Sequence, residues 1–169
     1  MEKTTTKRLR TVNAISSPAF ICTLFIILTA ILGLISLAST RTPLFDWSSV
    51  RMPFVMAKWI APVCFMSLFI LLAISVCIMW LTRVDHPETK LANLYWHLSV
   101  MTLLAIWPMF LILFKLPIVA LIIIILATIL MIYTTYRFTT SSLWAGILYI
   151  IATLAVFIIL TYNFWIVLA

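Results

Sequence analysis

The sequence predicts an all-α integral membrane protein, a single bundle of five transmembrane helices. Three observations predict it. Of 169 residues, 66% are hydrophobic and 9% charged, against about 45–50% and about 25% in soluble domains. The 15 charged side chains (11 Lys+Arg and 4 Asp+Glu) are too few to coat a water-facing surface of this size. The apolar residues fall in five continuous runs of about 20 residues or more, the length a helix needs to cross the hydrocarbon core. Runs that do not alternate exclude a β-barrel.

The runs are taken as helices over residues 19–38, 59–82, 91–114, 116–136 and 143–169. Residues 1–18 form a basic tail ahead of the 19–169 membrane domain. The first run is too long for the roughly 7–15-residue core of a signal peptide, so it is read as a retained helix. The second ends at the charged loop Arg83-Val-Asp-His-Pro-Glu-Thr-Lys90, and the third and fourth are separated only by Lys115, which marks a tight turn. The fourth and fifth are joined by Arg137-Phe-Thr-Thr-Ser-Ser142.

Basic residues set the orientation. With the N-terminus inside, Lys3, Lys7, Arg8, Arg10, Arg83, Lys90 and Arg137 are cytoplasmic, against Arg41, Arg51, Lys58 and Lys115 outside. The expected location is a bacterial plasma membrane, multi-pass, and the basic residues put the N-terminus on the cytoplasmic side. Reporter fusions at Ser17 and Ala169 should report opposite compartments, with Ser17 inside. The same compartment for both would mean a miscounted or cleaved helix. The net charge of +7 suits anionic headgroups, so membrane lipid is a partner and nucleic acid is not.

Charge inside the bilayer is costly unless used, and no helix carries it centrally. His97 is the one imidazole within an apolar run. No His, Cys or carboxylate lies within helical reach of it, so no metal site is expected. Cys22, Cys64 and Cys77 sit in apolar runs without CxxC spacing and read as small hydrophobes. No acid, base or nucleophile has a partner in sequence, so no catalytic residue is assigned and an enzyme is the weakest reading.

Aromatic residues are the unusual feature. Seven Trp are present, and Trp59, Trp80, Trp96, Trp144 and Trp165 lie near run ends, where an interfacial belt would place them. Trp107 lies deep in the third run, and Pro108 after it removes a backbone hydrogen bond. The longest connection, 39–58, mixes Pro43 and Pro53 with Phe45, Trp47 and Phe54. That composition suggests a lid over the bundle mouth.

These residues resemble the tryptophan-rich sensory protein family, also called the TspO or peripheral-type benzodiazepine receptor family. Trp47, Arg51, Pro53, Phe54 and Lys58-Trp-Ile-Ala-Pro-Val-Cys64 look like the family's first-loop and second-helix pattern, with Cys64 where a Trp is usual. His97-Leu98 and Trp107-Pro108-Met-Phe110 are similar to its third-helix pattern, and Leu148-Tyr149 to its fifth, with Ala152 in place of a Trp. The family's double proline, its third-helix Gln and Asn and its fifth-helix Pro are missing or displaced.

The resemblance implies a receptor or sensor, commonly a homodimer. It would bind a small, flat hydrophobic ligand, a porphyrin, another tetrapyrrole or a sterol, in an aromatic pocket closed by the first loop. No obligatory cofactor is implied. The candidate ligand-binding residues are Trp47, Pro53, Phe54, Trp59, His97, Trp107 and Tyr149, beneath the loop and between the second, third and fifth helices. The alternative is a small transporter or an accessory subunit of a transport complex, for which five helices without intramembrane charge suffice.

Overall fold

In the computed structural model, residues 18–40, 60–82 and 87–168 are described. They form α1 (Pro18–Thr40), α2 (Ile60–Leu81), α3 (Pro87–Pro108), α4 (Pro117–Ser141) and α5 (Leu143–Leu168), with a π-helical segment, Met109–Leu113, extending α3. No strand occurs among them. Four spans, within α2, α3 with its extension, α4 and α5, are long and apolar enough to cross a membrane, and α1 adds a shorter apolar stretch, Cys22–Ile35.

Two boundaries differ from the sequence expectation by more than two residues. α3 begins at Pro87, four residues before Leu91, because proline at a helix start loses no hydrogen bond and Glu88 in the first turn suits the helix dipole. α4 continues to Ser141 through residues read as a connection. Its terminal hydroxyls fold back on their own helix: Thr139 donates to the Thr135 carbonyl at 2.8 Å and Ser141 to that of Arg137 at 3.0 Å. These bonds absorb polar groups that would otherwise favour a turn. The turn at Lys115 is sharp, with the residue in the left-handed region at φ 53°.

α1 packs on α2 and α3, α2 on α5, α5 on α4 and α4 on α3, which closes a ring in the order α1, α2, α5, α4, α3. Successive helices run in opposite directions. One end of the ring, where α1 begins, is called here the tail end; the other, where the 41–59 connection leaves, is the loop end. The core runs the length of the ring interior, from Phe138, Tyr149 and Met79 through Leu72, Leu104 and Ile124 to Phe65, Trp107 and Leu111.

Small residues let the helices approach, as they must where lipid supplies no hydrophobic drive between them. Ala127, Ala145, Ala152, Thr128, Thr134 and Thr153 are buried along α4 and α5. The Thr135 and Thr153 hydroxyls meet across that pair at 3.0 Å, and Ser75 of α2 donates to the Ala145 carbonyl at 2.8 Å.

The tail end is closed by a polar girdle. The Arg137 guanidinium donates to Asn93 Oδ1 at 2.7 Å, and the Asn93 amide donates to Ser141 at 2.9 Å. Lys90 donates to the Trp80 carbonyl at 2.8 Å, satisfying a C-terminal acceptor of α2, and lies 5.7 Å over the Trp80 ring. Trp96 meets Tyr133 edge-on at 4.9 Å. Trp144 is 71% exposed and Trp165 51%, the disposition of interfacial rings at opposite ends of α5.

Candidate ligand-binding interior

Two aromatic layers occupy the ring interior. The tail-end layer joins α3, α4 and α5. His97 Nδ1 lies 3.3 Å from the Tyr149 hydroxyl, and either can donate depending on the imidazole tautomer. Their rings meet edge-on at 5.9 Å and 70°. Phe138 completes the layer, 4.8 Å from Tyr149 and 6.1 Å from His97. All three side chains are fully buried. α5 buries Ala145, Tyr149, Ala152 and Val156 along one stripe at three- and four-residue steps, which turns Tyr149 inward to reach α3 across the ring.

The loop-end layer joins α2 and α3. Phe65 and Trp107 stack with centroids 5.3 Å apart and planes at 8°. Pro108 has no N–H to return to the previous turn, and the helix widens immediately after it. The Phe114 N–H donates to the Met109 carbonyl at 3.1 Å and the Leu116 N–H to that of Phe110 at 3.0 Å. Such π-helical insertions are frequent at functional sites.

The structure thus brings His97 and Tyr149 together and sets Trp107 apart from them. Trp107 is ten residues further along α3, about 15 Å by helical rise. Trp47, Pro53, Phe54 and Trp59 lie outside the described residues, and so does the expected lid, except for Ser39 and Thr40, which are in α1.

Three interior residues are not reached by sequence reasoning: Phe65, Phe138 and Asn163. Spacing held a signal for Asn163, which follows Tyr149 by two heptads and Val156 by one and so continues the buried face of α5.

No Asp, Glu, Lys or Arg is buried among the described residues. The interior therefore offers stacking faces and neutral hydrogen-bonding groups.

This arrangement of five apolar helices around an aromatic interior accompanies a match to the TspO/MBR family model over residues 24–168. The chain belongs to the TspO/MBR family. Comparison with curated proteins and with solved structures gives no match. Family membership and the apolar helices together make the chain a multi-pass integral membrane protein with the family's five-helix bundle.

Proposed function

We propose that the protein is a membrane receptor or sensor that binds a flat hydrophobic ligand, a porphyrin or other tetrapyrrole or a sterol-like molecule, within its helix ring. The observation that carries this reading is the stacked Phe65–Trp107 pair at the Pro108 break. A planar ligand entering there can exchange a ring–ring contact for a ring–ligand contact of the same geometry. Aromatic pairing adds about 0.5–1.5 kcal/mol beyond area burial, so the exchange costs little in stacking energy. The absence of buried charge among the described residues suits the apolar ring of such a ligand, since water-excluding apolar walls with few polar groups are typical of small-molecule sites, and the carboxylates of a porphyrin would stay at the membrane interface.

Protoporphyrin IX added to detergent-purified protein should quench tryptophan fluorescence saturably. Trp107→Leu removes the flat ring and keeps apolar bulk, so affinity should fall several-fold in protein that still elutes as a sharp peak. Saturable quenching with unchanged affinity in the variant would remove Trp107 from the site. No saturable quenching in the wild type would remove porphyrins from the reading.

A further inference from the structure

At the loop end of the ring, Asn163 of α5 is buried with 0% of its surface exposed. Neither its amide nitrogen nor its amide oxygen has a hydrogen-bond partner, and the buried indole nitrogen of Trp107 lacks one as well. A buried polar group left unmade is costly, and buried amides in folded proteins nearly always find partners. Here the unmade groups lie toward the same end of the ring. α3 and α5 run in the same direction and share a level at the His97–Tyr149 contact. From that level Trp107 is ten residues on and Asn163 fourteen, about 15 Å and about 21 Å toward the loop end. The two lie roughly one helical turn apart in depth. Asn163 continues the face of α5 that carries Tyr149 and Val156 into the interior, and Trp107 reaches inward from α3 onto Phe65 of α2.

We propose that Asn163 is the polar recognition group of the interior and that it selects planar ligands bearing a neutral donor–acceptor edge, a lactam, imide or carboxamide. The proposal rests on the ligand-binding reading above and names the chemistry its ligand presents. An asparagine side chain offers a donor and an acceptor side by side. A cyclic amide meets it with the complementary pair, its N–H donating to Asn163 Oδ1 and its carbonyl accepting from Asn163 Nδ2. The ligand's ring then lies at the level of the Phe65–Trp107 stack, and the Trp107 N–H is free to donate to a second acceptor. An ionised carboxylate fits less well, because no buried cation stands among the described residues and a lone charge in an apolar interior is strongly penalised. The amide is closed off from solvent in the ring.

Two planar tricyclic probes test this by equilibrium dialysis against detergent-purified protein: phenanthridinone, a lactam, and benzo[c]chromen-6-one, the lactone with ring oxygen in place of N–H. The wild type should bind the lactam about tenfold more tightly. In Asn163→Leu, which keeps the branched shape and removes the amide, the preference should fall to within about twofold. The ligand-free variant should melt at or above the wild-type temperature, since an unpaired amide has been exchanged for an apolar group. Equal affinity of the two probes in the wild type overturns the proposal, and so does a preference that survives in Asn163→Leu. If Asn163→Leu does not fold, Asn163→Ala takes its place, and a lactam preference that survives in it overturns the proposal in the same way. Saturable protoporphyrin IX binding without lactam preference sinks the Asn163 assignment and leaves the planar-ligand reading standing. If neither probe nor protoporphyrin IX binds, both fall.

Discussion

Gly146→Val should be among the most damaging single substitutions in the described bundle. Gly146 lies one turn into α5, directly after the α4–α5 turn, where the Ser142 N–H donates to the Phe138 carbonyl at 2.7 Å and the Gly146 N–H to that of Ser142 at 3.0 Å. A Cβ at residue 146 would overlap the Thr139 hydroxyl and come within 2.7 Å of Thr139 Cα and 2.8 Å of its Cβ. A side-chain clash can be relieved by rotation. A clash with the backbone is relieved only by moving α4 away from α5, which opens the contacts through Thr135, Thr153 and the buried alanines. Overpacking of this kind costs about 1–3 kcal/mol and sometimes more, and valine belongs at the upper end of that range. Thermal melting followed by circular dichroism in detergent should show a marked fall for Gly146→Val and a smaller one for Gly146→Ala. Thr139→Ala should restore only part of the loss, because Cα and Cβ of residue 139 remain in the way. Gly33→Ala is the control: a Cβ there meets Met66 Sδ at 3.4 Å and Phe69 Cβ at 3.7 Å, ordinary contact distances, and stability should hardly change.

Gly146 also shows where the sequence stops being informative. The five spans are legible because a lipid-crossing helix must satisfy its backbone internally and present about 20 apolar residues, and both demands are local. Which face of each helix turns inward is not local. In a soluble helix the apolar stripe marks the buried side. α2, α4 and α5 are apolar all round, so Leu72, inside, and Ile70, half exposed, look alike in sequence. Ring order compounds the problem. His97 and Tyr149 are 52 residues apart, and nothing near either one says that α3 faces α5 across the ring. The depth of Tyr149 was legible as the far side of the bundle from Trp107, because alternating helices fix it by counting. Its contact with His97 was not.

Polar residues carry more information than their number suggests, although part of it points away from the structure. Arg137 and the Thr and Ser residues after it look like a connection. In the structure they form the last turns of α4, since Arg137 reaches Asn93 and the hydroxyls bond backward. Asn163 looks like an isolated polar residue among aromatics near the end of the chain. Counting back by sevens to Val156 and Tyr149 places it on the face of α5 that turns into the ring.

Tyr149→Ala should cost the most of any substitution in the tail-end layer. Tyr149 is the largest fully buried side chain among the described residues, and its ring touches both Phe138 and His97. Removing a buried aromatic ring costs about 3–5 kcal/mol, because the surrounding helices close over the cavity only in part. The hydroxyl carries far less. Hydrogen bonds between membrane helices average about 0.6 kcal/mol and reach about 1.7 kcal/mol, so Tyr149→Phe should lower stability by an amount within that range and leave the fold intact. A double-mutant cycle separates the two contributions. If the 3.3 Å contact with His97 Nδ1 carries the hydroxyl's share, Tyr149→Phe should be nearly silent in a His97→Leu background, with the difference appearing as coupling energy. Tyr149→Ala should remain severely destabilising there, because the cavity does not depend on the imidazole. Equal losses for Phe and Ala would show that the hydrogen bond, rather than the ring, holds α5 against α3. The packing geometry predicts the opposite order, with the ring dominant and the hydroxyl setting the angle at which His97 faces it.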